Sequence, residues 1–372
     1  MILVILFSIC FFSFITRKDK PLFGFRISIL VLFFLAAFQY NCSIDYWVPY
    51  EYYWSKATKE STLDCEFAYK YLIYICLPFG FFGFSIIVQL INYSVYYYLI
   101  KKNCPEKYLW ISIVLFSLIS KHFLLFANSY RQTLAVTFTM LALDTLLSSH
   151  MWWHKYVCDE KRWIVSYLSA FGYIIIAANI HTTAYVCFLF LLFPLLFKIK
   201  LIDNFKFNLI FFFTLYIGRS FVSLTDLTFY VQTFLSDNDN RFQYYMYQIQ
   251  DNSTEMTFYL QMLYVISIII MSCKMHVLNN YQKSLAFAII IGITLQPFLR
   301  TDSERLMMFF TIYWIILIPV LVFQIKNRLI KNMFIMLWML YSVVNIFKNI
   351  GSMNYHKWIE NLQFVFDAPI WL

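Results

Sequence analysis

Residues 128–143 read NSYRQTLAVTFTMLAL, an Arg-Gln pair followed by a run that is almost wholly apolar or small. The run is rich in good helix formers, and its natural surroundings are lipid or an apolar core. The guanidinium near its head, Arg131, cannot give up its charge. Its fate depends on which side of which boundary it stands, so the rest of the chain must define that boundary.

Composition defines it. Of 372 residues, 61% are hydrophobic and 13% charged, where an ordinary soluble domain carries about 25% charged residues. Crossing a hydrocarbon core of about 30 Å as a helix takes about 17 to 25 apolar residues. Runs approaching or reaching that length fall at about 2–16, 22–40, 80–100, 108–127, 133–148, 163–180, 182–197, 207–225, 258–273, 284–299, 306–323 and 333–347. The pattern predicts an all-α polytopic membrane protein of about twelve transmembrane helices, with one membrane domain over residues 1–372 and no separate soluble domain. The first span has no basic residue before it and RKDKP after it, so it reads as a retained helix and not as a cleaved signal.

A formal charge of +9 would suit a nucleic-acid binder, but its placement does not. Alternate loops are short and basic: Arg17, Lys18 and Lys20; Lys101, Lys102 and Lys107; Lys155, Lys161 and Arg162; Lys198, Lys200 and Lys206; Lys274 and Lys283; Lys326, Arg328 and Lys331. These hold 17 of the 29 Lys and Arg. The positive-inside rule makes those loops cytoplasmic and puts both termini outside. A thirteenth crossing at CEFAYKYLIYICLPFGFFGF would reverse every later loop. Phe67 to Phe79 is therefore expected to lie along the outer interface or to dip in and return.

The outer face then collects the loop 41–66, the Arg131 mouth, NIHTT around His181, the loop 226–257, RTDSER at 300–305 and the tail 348–372. Arg131, Arg241, Arg300 and Arg305 are all there, and Arg219 lies in the eighth span near its outer half. Orientation needs charge only on the cytoplasmic side, and lysine supplies most of it. Arginine on the opposite face needs another reason, and its planar fork suits phosphate oxygens. At the mouth of a helix, a bare Arg131 opposes the positive end of the dipole unless an anion is shared. Guanidinium plus helix N-terminus is such an anion site, an anionic lipid headgroup or diphosphate being the expected ligand; snorkelling to lipid phosphates is the plainer alternative.

Other patterns point to less. His150 and His154 in HMWWH are one helical turn apart, but they lack an acidic partner and sit on the cytoplasmic side beside Trp152 and Trp153, an interfacial belt. The 29 tyrosines crowd loops and span ends, where rings stack on sugars or line the interface. Cys42 and Cys65 share the first outer loop, where a disulfide is one reading. There is no Gly-rich phosphate loop, and no cofactor or metal is expected.

Taken together, IDYWVPYEYYW, CEFAYKYL, YRQTLAVTFTMLAL, NIHTTAYVCFLFLLFP and DSERLMMFFTIYWIILIPVL resemble the ordered motifs of the EpsG/Wzy-type polymerases of O-antigen, capsule and exopolysaccharide. The resemblance runs from about residue 40 to 320 and rests on Asp45, Tyr46, Tyr50, Glu66, Arg131, Gln132, His181 and Arg305. It implies a glycosyltransferase-C-like helical bundle in the bacterial inner membrane. Such an enzyme moves a growing glycan from its undecaprenyl diphosphate carrier onto a repeat unit on a second carrier. The implied partners are lipid-linked oligosaccharides, membrane lipids and a chain-length regulator. Arg131 and Arg305 would hold the leaving diphosphate, and His181 or Asp45 would be the general base. Glu66 would accept a sugar hydroxyl, with Gln132, Tyr46, Tyr50, Arg219, Arg241 and Arg300 as further substrate contacts.

Rival classes are a lipid-linked-oligosaccharide flippase or other transporter, an O-antigen ligase, and a polyprenyl-phosphate-sugar-dependent glycosyltransferase. The first is disfavoured because the chain shows no internal repeat and gathers its polar groups at one face. The last keeps a loose echo in Asp45 and Glu51. Cysteines placed singly at 45–60, 237–252 or beyond 350 should react with a membrane-impermeant thiol reagent in intact cells, and those at 101–107 or 326–331 should not. Labelling of Lys326→Cys would reverse the face assignment.

Overall fold

The computed structural model describes residues 2–40, 53–59, 63, 65–119, 122, 123, 127, 129–147, 159–198, 200, 204–218, 258–295, 303–350, 363 and 364. In chain order the α-helices are α1 (Ile2–Thr16), α2 (Pro21–Ala37), α3 (Ser55–Lys59), α4 (Phe67–Cys76), α5 (Gly80–Asn103), α6 (Leu109–Leu118), α7 (Tyr130–Leu147) and α8 (Asp159–Ile180). A 3-10 helix over Thr182–Leu192 leads to α9 (Phe193–Lys198), α10 (Phe205–Gly218), α11 (Phe258–Lys274), α12 (Asn280–Leu295), α13 (Ser303–Thr311), α14 (Trp314–Gln324) and α15 (Arg328–Ile350). They form two compact units, Met1–Leu192 with Trp314–Leu372, and Phe193–Tyr313.

The fate of the stretch after Glu66 decides the shape of the first unit's upper end. A continuous helix would put Tyr69 and Phe84 about 22 Å apart at 1.5 Å per residue, yet their ring centroids are 5.9 Å apart. The chain therefore folds back. Pro78 lies in a 3-10 turn at Leu77–Phe79, and Gly80 follows with φ +69°. That left-handed backbone favours glycine, and no atom lies within 4 Å of where a Cβ would sit, so conformation and not space selects the residue. Ten residues of α4 span about 15 Å, half a hydrocarbon core. This hairpin contains Phe67 to Phe79, the segment expected to lie along the outer interface or to dip in and return.

Above the hairpin, Trp54 and Tyr53 of the first loop are buried against it. Trp54 lies 5.8 and 5.6 Å from Phe81 and Phe84, and Tyr53 lies 5.9 Å from Tyr69. Tyr130, first residue of α7, completes this aromatic cluster through Phe81 and Phe84. Below it, α5 and α7 meet along a polar seam. Ser85 and Tyr130 share a 2.7 Å hydrogen bond. Asn92 donates to Thr133 at 3.2 Å and accepts from Thr137 at 2.7 Å. At the far end Lys102 donates to both carboxylate oxygens of Asp144, at 2.9 and 2.8 Å. Side-chain hydrogen bonds between helices replace the hydrophobic drive that lipid cannot supply, and these fix the depth and rotation of α7.

Elsewhere in this unit α1 and α2 pack on each other and on α6, and α14 packs on α6 and α5. Trp314 and Trp338 meet at 4.8 Å between α14 and α15. In the second unit α12 is central, with α10, α11 and α13 against it. Gly292 lets α12 and α13 approach closely, since a Cβ there would meet Phe310 at 2.6 Å. The departure from an all-α chain among the described residues is a two-residue antiparallel ladder, Gln39–Tyr40 with Gln363–Phe364.

Each expected span coincides with a helical segment, though several are shorter or broken. By length and composition, the stretches Phe67–Asn103, Trp163–Ile180, Leu306–Gln324 and Arg328–Phe347 are long and apolar enough to cross a membrane, and Ile2–Thr16, Pro21–Ala37, Thr182–Lys198, Phe205–Thr214 and Met262–Val277 are shorter apolar helices. Contacts in the first unit sort helix ends as the loop charges do. Arg17 lies over Phe14 and near Trp110, Arg26 bonds Tyr97, Lys331 reaches Tyr108 and Lys102 pairs with Asp144, all ends expected to be cytoplasmic.

Asp144 is wholly buried and Lys102 is 22% exposed. Removing one partner of such a pair costs about 3–5 kcal/mol. Lys102→Met should therefore lower the unfolding temperature of the detergent-purified protein markedly. Lys102→Met combined with Asp144→Asn should recover most of the loss. Additive losses in that cycle would show that the two side chains are not coupled.

Candidate active site

Three helix starts converge on one carboxylate. Glu66 is the residue before α4, Arg131 is the second residue of α7, and Thr182 is the first of the 3-10 helix. Glu66 Oε2 accepts from Arg131 Nη1 at 2.7 Å, and Oε1 accepts from the Thr182 backbone N–H at 3.4 Å. The carboxylate is thus held by a guanidinium and by one helix-start N–H, which carries partial positive charge, and it makes no capping bond to its own helix α4. Glu66 reaches this point because the Gly80 hairpin lays α4 against α8, whose end leads into His181 and Thr182.

Aromatic rings hold the cation. Arg131 Cζ lies 4.6 Å from the ring centroid of Tyr53 and 5.9 Å from that of Tyr69, within the range of cation–π attraction. Burial works against the guanidinium charge, and the neighbouring Glu66 carboxylate, then Tyr53 and Tyr69, more than offset it, so the Arg131 pKa is raised. The ion pair is not sealed: the side chains are 24% and 15% exposed. Beside it, Gln132 is buried.

His181 closes α8. Its N–H donates to Ala177 O at 2.8 Å, and its carbonyl accepts from Ala184 at 2.9 Å. Its Nδ1 is 3.2 Å from Thr183 Oγ1, so the threonine orients the ring. The histidine thus stands one residue from the N–H that holds Glu66.

The structure brings together Glu66, Arg131 and the His181–Thr182 corner, and Gln132 is buried at the next position of α7. Asp45, Tyr46, Tyr50, Arg219, Arg241 and Arg300 lie outside the described residues, as do Cys42, His150 and His154. Arg305 lies in α13, but its side chain is outside them too. His122, in the fourth expected span, is buried with Nδ1 3.2 Å from Leu115 O. Among the described residues no group of three or more His, Cys, Asp or Glu is placed to hold a metal.

Sequence reasoning missed Tyr53 and Tyr69 as partners of the arginine. Tyr69 follows Glu66 by three positions, which on a helix means the same face, and that spacing was the available signal. It also missed Asp144, a lone carboxylate inside an apolar run, which the cost of an intramembrane charge would have singled out.

The family model of the EpsG family matches residues 22–360. The chain belongs to the EpsG family. That agrees with the resemblance in its motifs and makes it a helical membrane protein of a family associated with polysaccharide polymerase activity. No curated protein and no solved structure matches it.

Proposed function

We propose that this EpsG-family protein polymerises polyprenyl-diphosphate-linked oligosaccharide repeat units at the outer face of the bacterial inner membrane, as a multi-pass glycosyltransferase. The observation that supports this best is the partly buried guanidinium of Arg131, whose partner Glu66 reaches the N–H of Thr182, the residue after the histidine His181. The first feature suits a diphosphate, and the second suits the proton that an acceptor hydroxyl must lose.

In this reading the acceptor oxygen attacks the anomeric carbon of the growing chain, and the bond from that carbon to the diphosphate breaks. The electron pair leaves with the diphosphate oxygen, whose charge Arg131 and Arg305 stabilise. The acceptor proton passes to His181 or Asp45. For His181 to accept it at Nε2, the other ring nitrogen must carry hydrogen and donate to Thr183 Oγ1, a contact of 3.2 Å in the structure. Thr183 then selects the basic tautomer, much as second partners orient other functional histidines. Gln132, Tyr46, Tyr50, Arg219, Arg241 and Arg300 are the further substrate contacts of this proposal. Glu66, with both oxygens engaged, is the partner of Arg131.

Arg131→Ala and Arg305→Ala should each abolish long glycan chains and leave single repeats on the acceptor lipid. Lysine at either position should rescue poorly, because a point charge does not reproduce the fork. Normal chain lengths in both lysine variants, at normal protein levels, would remove these residues from diphosphate recognition.

His181→Gln keeps hydrogen bonding but takes no proton, so turnover should fall by about 10²–10⁴-fold while binding of the lipid-linked repeat changes little. A base works in its neutral form, so polymerisation by the unmodified protein should decline as pH drops through the imidazole range, nominally about 6.5. Whichever of His181→Gln and Asp45→Asn removes that acid limb identifies the base. Near-normal turnover in His181→Gln would leave the histidine as a helix-end residue.

A further inference from the structure

Two ion pairs among the described residues of the first unit differ in kind. Lys102 engages both oxygens of an Asp144 that solvent does not reach. Arg131 engages Glu66 through one nitrogen and one oxygen, and both side chains are partly exposed. Arginine and carboxylate reach their strongest geometry with two parallel bonds, and this pair does not use it. The second oxygen of Glu66 takes instead the backbone N–H of Thr182, at a long 3.4 Å.

Donors at this point outnumber what the carboxylate uses. The guanidinium has five N–H groups, the 3-10 helix adds that of Thr182, and Tyr69, with its hydroxyl, has its ring centroid 5.9 Å from the guanidinium carbon. That hydroxyl is buried, lies within electrostatic reach of Arg131 and has no hydrogen-bond partner among the described residues. A buried donor left unpaired is costly, and an anion with several oxygens offers such donors more acceptors than one carboxylate does. An uncompensated guanidinium would in turn be costly in a half-buried place, so the protein without substrate needs an anion there.

We infer that Glu66 is a stand-in anion: its carboxylate occupies the seat of a diphosphate oxygen on Arg131 and the Thr182 N–H, and the incoming diphosphate displaces it. This rests on the reading of Arg131 as a diphosphate ligand and goes beyond it in assigning Glu66 the opposite sign of effect. A residue that positions Arg131 strengthens anion binding, whereas one that competes for it weakens binding. Glu66 is the competitor. The arrangement keeps the arginine neutralised and oriented between turnovers, and it sets a threshold that single-charge anions do not pass.

The test is titration of inorganic pyrophosphate into the purified full-length protein by calorimetry. Glu66→Gln, which removes the charge and keeps the shape, should bind pyrophosphate about tenfold more tightly or better, since it lifts a like-charge contact. Arg131→Ala should lose the binding. Unchanged or weaker binding in Glu66→Gln, with loss in Arg131→Ala, would overturn the stand-in and leave the diphosphate reading intact. Unchanged binding in Arg131→Ala would overturn both, as would absence of binding in every variant. Should Glu66→Gln fail to fold, Glu66→Asp draws the carboxylate back by one methylene and must also bind more tightly than the unmodified protein.

Discussion

A guanidinium at the mouth of an apolar helix stays charged at any pH the cell offers, and the upper end of the first unit is organised around that constraint. Arg131 heads α7 where the helix's own dipole is unfavourable to it. The chain answers with a carboxylate from 65 positions earlier and two tyrosine rings. To deliver Glu66 to that spot, α4 must turn back on α5, which in turn asks for the left-handed backbone at Gly80. Local conformation, hairpin and ion pair are one causal chain.

The seam beneath supplies the precision. A helix in lipid is free to slide and rotate unless its neighbours offer directional contacts. Ser85, Asn92 and Lys102 on α5 meet Tyr130, Thr133, Thr137 and Asp144 on α7 in register. A rotation of α7 by one residue would break all of these contacts together and leave Asp144 as a lone charge. The cost falls at one end of the helix, and the benefit is felt at the other, where the position of Arg131 is set.

Helices were legible in the sequence because apolar runs of spanning length are hard to disguise, and the two groups of helix ends because Lys and Arg alternate between loops. Glu66, Arg131 and His181 were legible as charged or titratable residues expected on one face. Their mutual arrangement was not. A pairing across 65 positions leaves no periodic trace, and it depends on a fold-back signalled only by Leu77-Pro78-Phe79-Gly80. Tyr53 was hidden among 29 tyrosines, all equally plausible as interfacial rings or sugar platforms. Asp144 was passed over because one carboxylate barely lowers the hydropathy of its run. The candidates Asp45, Tyr46, Tyr50, Arg219, Arg241 and Arg300 fall where no geometry is described, so they stand as sequence gives them.

The two-residue ladder joining Gln39–Tyr40 to Gln363–Phe364 bears on the order of assembly. A nascent chain enters the membrane from its first residue, and contacts between distant segments must wait for the later one. The first unit draws on both Met1–Leu192 and Trp314–Leu372, with the second unit translated in between. Its earlier helices therefore remain without α14 and the ladder until those later segments have been made. Strand pairing after α2 waits for residues 363 and 364, so a change in that later segment acts on one translated far earlier.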